Sequence, residues 1–92
     1  MIRSFRSKGL QRFAERGDAS RPSVQNPDRL RRILLALDAA KSPQQMNAPG
    51  LRFHALKGAN KGRYAVDASA NWRMTFGWDG EDATEVDLED CH

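Results

Sequence analysis

Residues 71–90, NWRMTFGWDGEDATEVDLED, decide how this chain is built. Trp72, Met74, Phe76 and Trp78 alternate with Asn71, Arg73, Thr75 and Gly77, and further on Val86 and Leu88 alternate with Glu85, Asp87 and Glu89. An apolar period of two marks a strand with one face against a core and one face toward solvent. Between the two runs stands Asp79-Gly80, a pair suited to the positive φ of a tight hairpin turn. Two antiparallel strands follow, both apolar on the same side.

Upstream, residues 62–69 (GRYAVDAS) repeat the pattern, with Tyr64, Val66 and Ala68 against Arg63, Asp67 and Ser69. Before Gly50 the period lengthens to that of a helix. Leu30, Ile33, Leu34 and Leu37 fall at i, i+3, i+4 and i+7, with Asn26 as N-cap, Pro27 at the first helical position and Asp28 at the positive end of the dipole. Arg29, Arg31, Arg32 and Asp38 occupy the opposite side of that helix. A shorter helix precedes it, with Leu10, Phe13 and Ala14 on one face and Gly17 as its stop. MIRSF at the start reads as a short strand, and Ser42 as the cap of an extra helical turn. The expected fold is α+β, a single domain over 1–92 with two N-terminal helices packed on one face of a small antiparallel sheet.

Composition narrows the class. No apolar run approaches the ~20 residues of a membrane span, and the basic start lacks the apolar stretch of a secretory signal. A single cysteine, Cys91, forms no internal disulfide, so a cytoplasmic setting is expected, with no membrane partner. Residues 1–41 hold ten Lys/Arg against four acids, whereas seven acids between Asp79 and Asp90 have no base among them. Such a division suits a polyanion on one surface and a basic group on another, or simply solvated charge.

Strand parity sorts the chemistry. If Trp72, Met74 and Phe76 face the helices, Arg73 and Thr75 lie on the open face. In RFHALKG, residues 52–58, Phe53 then packs inward while Arg52 and His54 point outward, with Lys57 and Arg63 nearby. That cluster attracts phosphate; taken singly, each member is also an ordinary surface residue. Counting on from Leu88 places Asp90 and His92 on the helix side and Cys91 on the polar side. They reach the open face only if the tail leaves the strand after Leu88 or Glu89. No metal site is expected: Cys91 and His92 lack partners at zinc spacing, and Glu85, Asp87 and Glu89 read as a solvated acidic face. GANKG lacks the strand-to-helix context of a phosphate loop. Trp72 and Trp78 belong to the core before any base-stacking role.

RFHALKG, NKGRYAVDASANWRMTF and a C-terminal acid–X–His, in that order, resemble the HigB-type toxins of the RelE/ParE superfamily, and the likeness extends to MIRSFRSKGLQRF and DRLRRILLALDAA. The resemblance implies a type II toxin that cuts messenger RNA on the translating ribosome, without cofactor or metal. It also implies a HigA-like antitoxin, often with a helix-turn-helix, that represses its own operon and so links the toxin indirectly to operator DNA. Carried to matching positions, it makes His54 and His92 the acid–base pair, supported by Asp90, with Lys57 and Arg73 as phosphate-stabilising cations and Arg52, Arg63 and Cys91 beside the substrate. Either histidine can serve as base or acid. Cys91 departs from the tyrosine of close members and can neither stack nor hydrogen-bond as tyrosine does. The contrasting readings are a degenerate member that only binds RNA or antitoxin, and a relative aimed at gyrase, which would not need two histidines. The basic N-terminal half, including Arg3, Arg6, Lys8, Arg12 and Arg29, suits either an acidic antitoxin or ribosomal RNA.

Overall fold

The computed structural model describes residues 1–18 and 26–90. Two helices, α1 (Lys8–Arg16) and α2 (Pro27–Ala39), precede a sheet of four antiparallel strands in sequence order: β1 (His54–Ala55), β2 (Arg63–Asp67), β3 (Trp72–Asp79) and β4 (Asp82–Asp90). Both helices begin as their sequences dictate. Ser7 accepts from Leu10 N–H at the start of α1, and Asn26 accepts from Arg29 N–H at the start of α2. Gly17 closes α1 in the left-handed region, at φ 70°.

Leu10 and Phe13 of α1 and Leu30, Ile33, Leu34 and Leu37 of α2 share one core with Val66, Met74, Phe76, Ala83, Val86 and Leu88 of the sheet. These strand residues all belong to one face, so the helices cover that face. Ala14, by contrast, is exposed. An aromatic row runs along the same side, Phe53 stacking on Tyr64 at 5.7 Å, Tyr64 on Phe76 at 5.9 Å, and Phe76 meeting the edge of Trp78 at 6.2 Å. The hairpin turns through Gly80 (φ 64°) and Glu81, since Asp79 pairs with Asp82. Trp78 Nε1 donates to Gly80 O at 2.8 Å and locks the turn.

Three expectations change. MIRSF forms no strand of its own; it lies parallel to β4 through two isolated bridges, Ile2 to Ala83 and Phe5 to Val86. The turn after α2 is a 3₁₀ segment, Pro43–Met46, that buries Met46, but the Ser42 hydroxyl does not cap it. Finally, β4 does not keep one parity: Thr75 pairs with Asp87 while Gly77 pairs with Thr84, so β4 carries an extra residue there. This is a β-bulge, and Glu85, at φ 48°, sits in it. The bulge is why Ala83 and Val86 both reach the core.

Candidate active site on the open face of the sheet

Cross-strand pairing fixes what shares the open face. His54 pairs with Ala65, Ala65 with Thr75 and Thr75 with Asp87, forming one row; Asp67, Arg73 and Glu89 form the next. Arg63, Gly77 and Thr84 make a third. His54 and Arg73 thus share the open face as parity predicts, with Arg63 on the same face, while Arg52 lies just before β1 and outside the ladder. Lys57 is exposed just after β1, at the start of the 3₁₀ turn Gly58–Asn60.

His54 is held by its own backbone. Arg52 adopts φ 52°, a conformation most side chains avoid, and its carbonyl then lies 2.9 Å from His54 Nδ1. A carbonyl only accepts, so Nδ1 carries a hydrogen and donates. In the neutral ring this leaves the Nε2 lone pair free, and the exposed imidazole can take or give a proton there. The exposed Arg52 in turn reaches the partly buried Asp67 through its Nε at 3.7 Å.

The segment before β1 is anchored from behind. The Arg29 guanidinium donates to three carbonyl oxygens, Gly50 at 2.9 Å, Asp67 at 3.2 Å and Ala68 at 3.2 Å. Asp67 N–H donates to Leu51 O at 2.7 Å. Together these tie α2, the end of β2 and the approach to Arg52 and His54. Arg29 is therefore a structural clamp and not a free cation for docking. Arg3 is also committed, to Asp79 and Asp82 at the hairpin, and Asp82 is held below the usual carboxylate range chiefly by that hydrogen bond. Part of the basic N-terminal half thus neutralises the acidic C-terminal part within the molecule. Lys8, Arg12 and Arg32 remain exposed on the helices.

At the centre of the face lies a chain of polar groups. Arg63 Nη2 donates to Thr75 Oγ1 at 3.0 Å and to Glu85 O at 2.8 Å. The bulge at Glu85 interrupts the ladder beside this carbonyl. Thr75 Oγ1 donates to Glu89 Oε2 at 2.6 Å, and Arg73 Nη2 donates to Glu89 Oε1 at 3.4 Å. Thr75 has no solvent exposure beneath these partners. Gly77 leaves room for the Thr84 side chain, since a Cβ there would stand only 2.9 Å from Thr84 Oγ1, whereas its 3.7 Å from Arg63 Nη1 would be ordinary contact. Burial, then repulsion from Arg6, lowers the Arg63 pKa from its ordinary range. The Thr75 hydrogen bond, helped by Arg73, lowers that of Glu89 against the cost of its burial. Glu89 is thus no merely solvated acid, and Arg6, brought near Arg63 along β4, belongs to the same electrostatic environment. Parity already put Thr75 and Glu89 on this face; their bonding to one another across strands had no signal in the sequence.

The C-terminal candidates stand differently. β4 does not leave the ladder after Leu88 or Glu89: Asp90 still pairs with Trp72, on the parity of the helix side. The structure therefore does not bring Asp90 onto the open face through strand alternation. Cys91 and His92 lie outside the described residues. Among the described residues, no three His, Cys, Asp or Glu side chains gather to hold a metal ion, and no helix is long and apolar enough to cross a membrane.

Helices over one face of an antiparallel sheet, with arginines and a histidine gathered on the other, define a RelE-like α+β protein. The comparisons agree. A family model described as the RelE-like toxin of type II toxin–antitoxin system HigB matches residues 3–92. Over 92 residues, the full length of both chains, the sequence is 37% identical to a Proteus vulgaris protein named endoribonuclease HigB. The chain belongs to the HigB-like toxin family.

Proposed function

We propose that this protein is a cytoplasmic endoribonuclease, the toxin of a type II pair, that cuts messenger RNA on the translating ribosome. The observation that carries this reading is His54, with Nδ1 engaged by Arg52 O and the ring exposed on the same face as Arg63 and Arg73. Membership of the toxin family supports an antitoxin partner, here taken as HigA-like and as the route to operator DNA.

The reaction needs only the chain's own groups. A base removes the proton of a 2′-hydroxyl, whose oxygen attacks the adjacent phosphorus. The P–O5′ bond breaks, leaving a 2′,3′-cyclic phosphate and, once an acid protonates the leaving oxygen, a 5′-hydroxyl. His54 Nε2 takes one of these proton-transfer roles and His92 the other; Asp90, on the helix-side parity at the end of β4, supports His92 and not His54. Arg73 and Lys57 stabilise the charge growing on the phosphate oxygens, and Arg52 and Arg63 extend the cationic surface along the RNA. Cys91 lies between Asp90 and His92 in sequence and offers less to a nucleobase than tyrosine would.

The test is mRNA cleavage in a translating bacterial extract, mapped by primer extension. His54→Ala is expected to reduce cutting by roughly 10²–10⁴-fold, the usual worth of a general acid or base, and deletion of His92 to do likewise. Cuts that survive both changes refute the acid–base assignment. Absence of cuts from the unaltered protein favours a binder that acts only through its antitoxin.

A further inference from the structure

We propose that Glu89 is the positioning residue of Arg73, acting with Thr75 to hold that guanidinium ready for a phosphate. The inference rests on the reading of the open face as an RNA-cleaving site, and adds to it a residue that touches no substrate.

The direction of each hydrogen bond follows from the chemistry of the groups. Arginine can only donate, so Thr75 Oγ1 must accept from Arg63 Nη2 at 3.0 Å. Its own hydrogen is then free to point at Glu89 Oε2, 2.6 Å away. A carboxylate held in this way presents its second oxygen, Oε1, to Arg73 Nη2 at 3.4 Å. Arg63 is fixed by Glu85 O at 2.8 Å, so the relay is anchored at the β4 bulge. Both oxygens of Glu89 are used, one to be held and one to hold.

This leaves Arg73 partly uncommitted. Its side chain keeps 30% exposure, although its Nε, without a hydrogen-bond partner among the described residues, is buried and out of reach of a ligand. The pair with Glu89 is long and engages one nitrogen only. Glu89 therefore restrains the long arginine side chain without occupying its whole donor edge. Ordering the guanidinium in advance lowers the entropic cost of engaging the phosphate. Glutamine does not replace Glu89, because its amide has a single accepting oxygen for two donors. Aspartate is one methylene short of bridging both.

The experiment uses the full chain. Single-turnover cleavage in the translating extract is measured across toxin concentrations for wild type, Glu89→Ala, Thr75→Val, Thr75→Ser, Arg73→Ala and the Arg73→Ala/Glu89→Ala double variant. The Nε–Hε NMR signal of Arg73 is followed in the isolated protein, and circular dichroism checks the fold. Glu89→Ala and Thr75→Val are expected to slow the saturated rate by about 10–10²-fold, the scale of a misplaced catalytic contact, while half-saturation moves less than about twofold. Thr75→Ser, which keeps the hydroxyl, restores the rate. Glu89→Ala adds nothing once Arg73 is gone, as expected of residues acting as a unit. The Arg73 signal broadens in Glu89→Ala and Thr75→Val.

Wild-type cleavage with an equally active Glu89→Ala, or losses that multiply in the double variant, overturns the proposal and leaves the nuclease reading standing. If wild type cuts no RNA the nuclease reading fails, and the NMR arm still judges the geometry. An Arg73 signal unchanged in Glu89→Ala then overturns the positioning role by itself.

Discussion

The apolar and open faces of the sheet alternate along the same strands, yet they are held by different physics. On the apolar side Met74, Phe76, Val66 and Val86 are fully buried against the helices, and their contribution scales with area and fit. On the open side Thr75 and Ala65 are equally buried, but beside them stand a histidine, two arginines and three carboxylates within the paired rows. Apolar packing tolerates an exchange of similar volume. A chain of directed hydrogen bonds does not tolerate loss of a single donor or acceptor. Stability should therefore reside mainly on one side and activity on the other.

Phe76→Ala is the strongest challenge to that division. Phe76 is fully buried between Tyr64 and Trp78, and its removal is expected to cost about 3–5 kcal/mol. Urea unfolding measures this directly, and a loss below about 1 kcal/mol would show that the face is not the main source of stability. Asn26→Ala affects one end of α2, where the side chain accepts from Arg29 N–H at 3.1 Å. The expected loss is about 1 kcal/mol, and because Arg29 also clamps Gly50, Asp67 and Ala68, any effect on cleavage greater than that on stability would link the cap to the site.

The smallest effect belongs to the open face and to pH. The folded-state pKa of Glu89 lies below its ordinary value of 4.5. Its stabilisation is therefore fully present above that value and is lost as pH falls through the depressed one. For a partly exposed group the amount is a few tenths of a kcal/mol. The stability difference between wild type and Glu89→Gln, followed by denaturation on acidification, should narrow below pH 4.5. A difference that stays constant through that range assigns the acid sensitivity elsewhere.

Much of this was legible in the chain. Period-two apolar runs gave β2, β3 and the regular part of β4, because the pleat sends alternate residues to opposite sides whatever the surroundings. The leucine spacing of α2, its Asn26 cap and the Gly17 stop are local chemistry of the same kind. Parity alone put His54 and Arg73 on one face, with Arg63 nearby. The Glu85 bulge was not legible, since alternation counted from Leu88 gives no sign of an added residue. Nor was the association of MIRSF with β4, because its two bridges, Ile2 to Ala83 and Phe5 to Val86, depend on a strand at the far end of the chain.

The sequence by itself thus determined the two helices, the strands β2 and β3 and the sides taken by residues 86–89 of β4, because these follow from short-range backbone geometry. Only the tertiary structure decided what each charge engages: Arg3 pairs with Asp79 and Asp82, Arg73 pairs with Glu89, and Arg29 donates to three neutral carbonyl groups. A charge in the sequence carries no direction, and its partner is set by strand register and by a bulge that bring distant residues within hydrogen-bond distance.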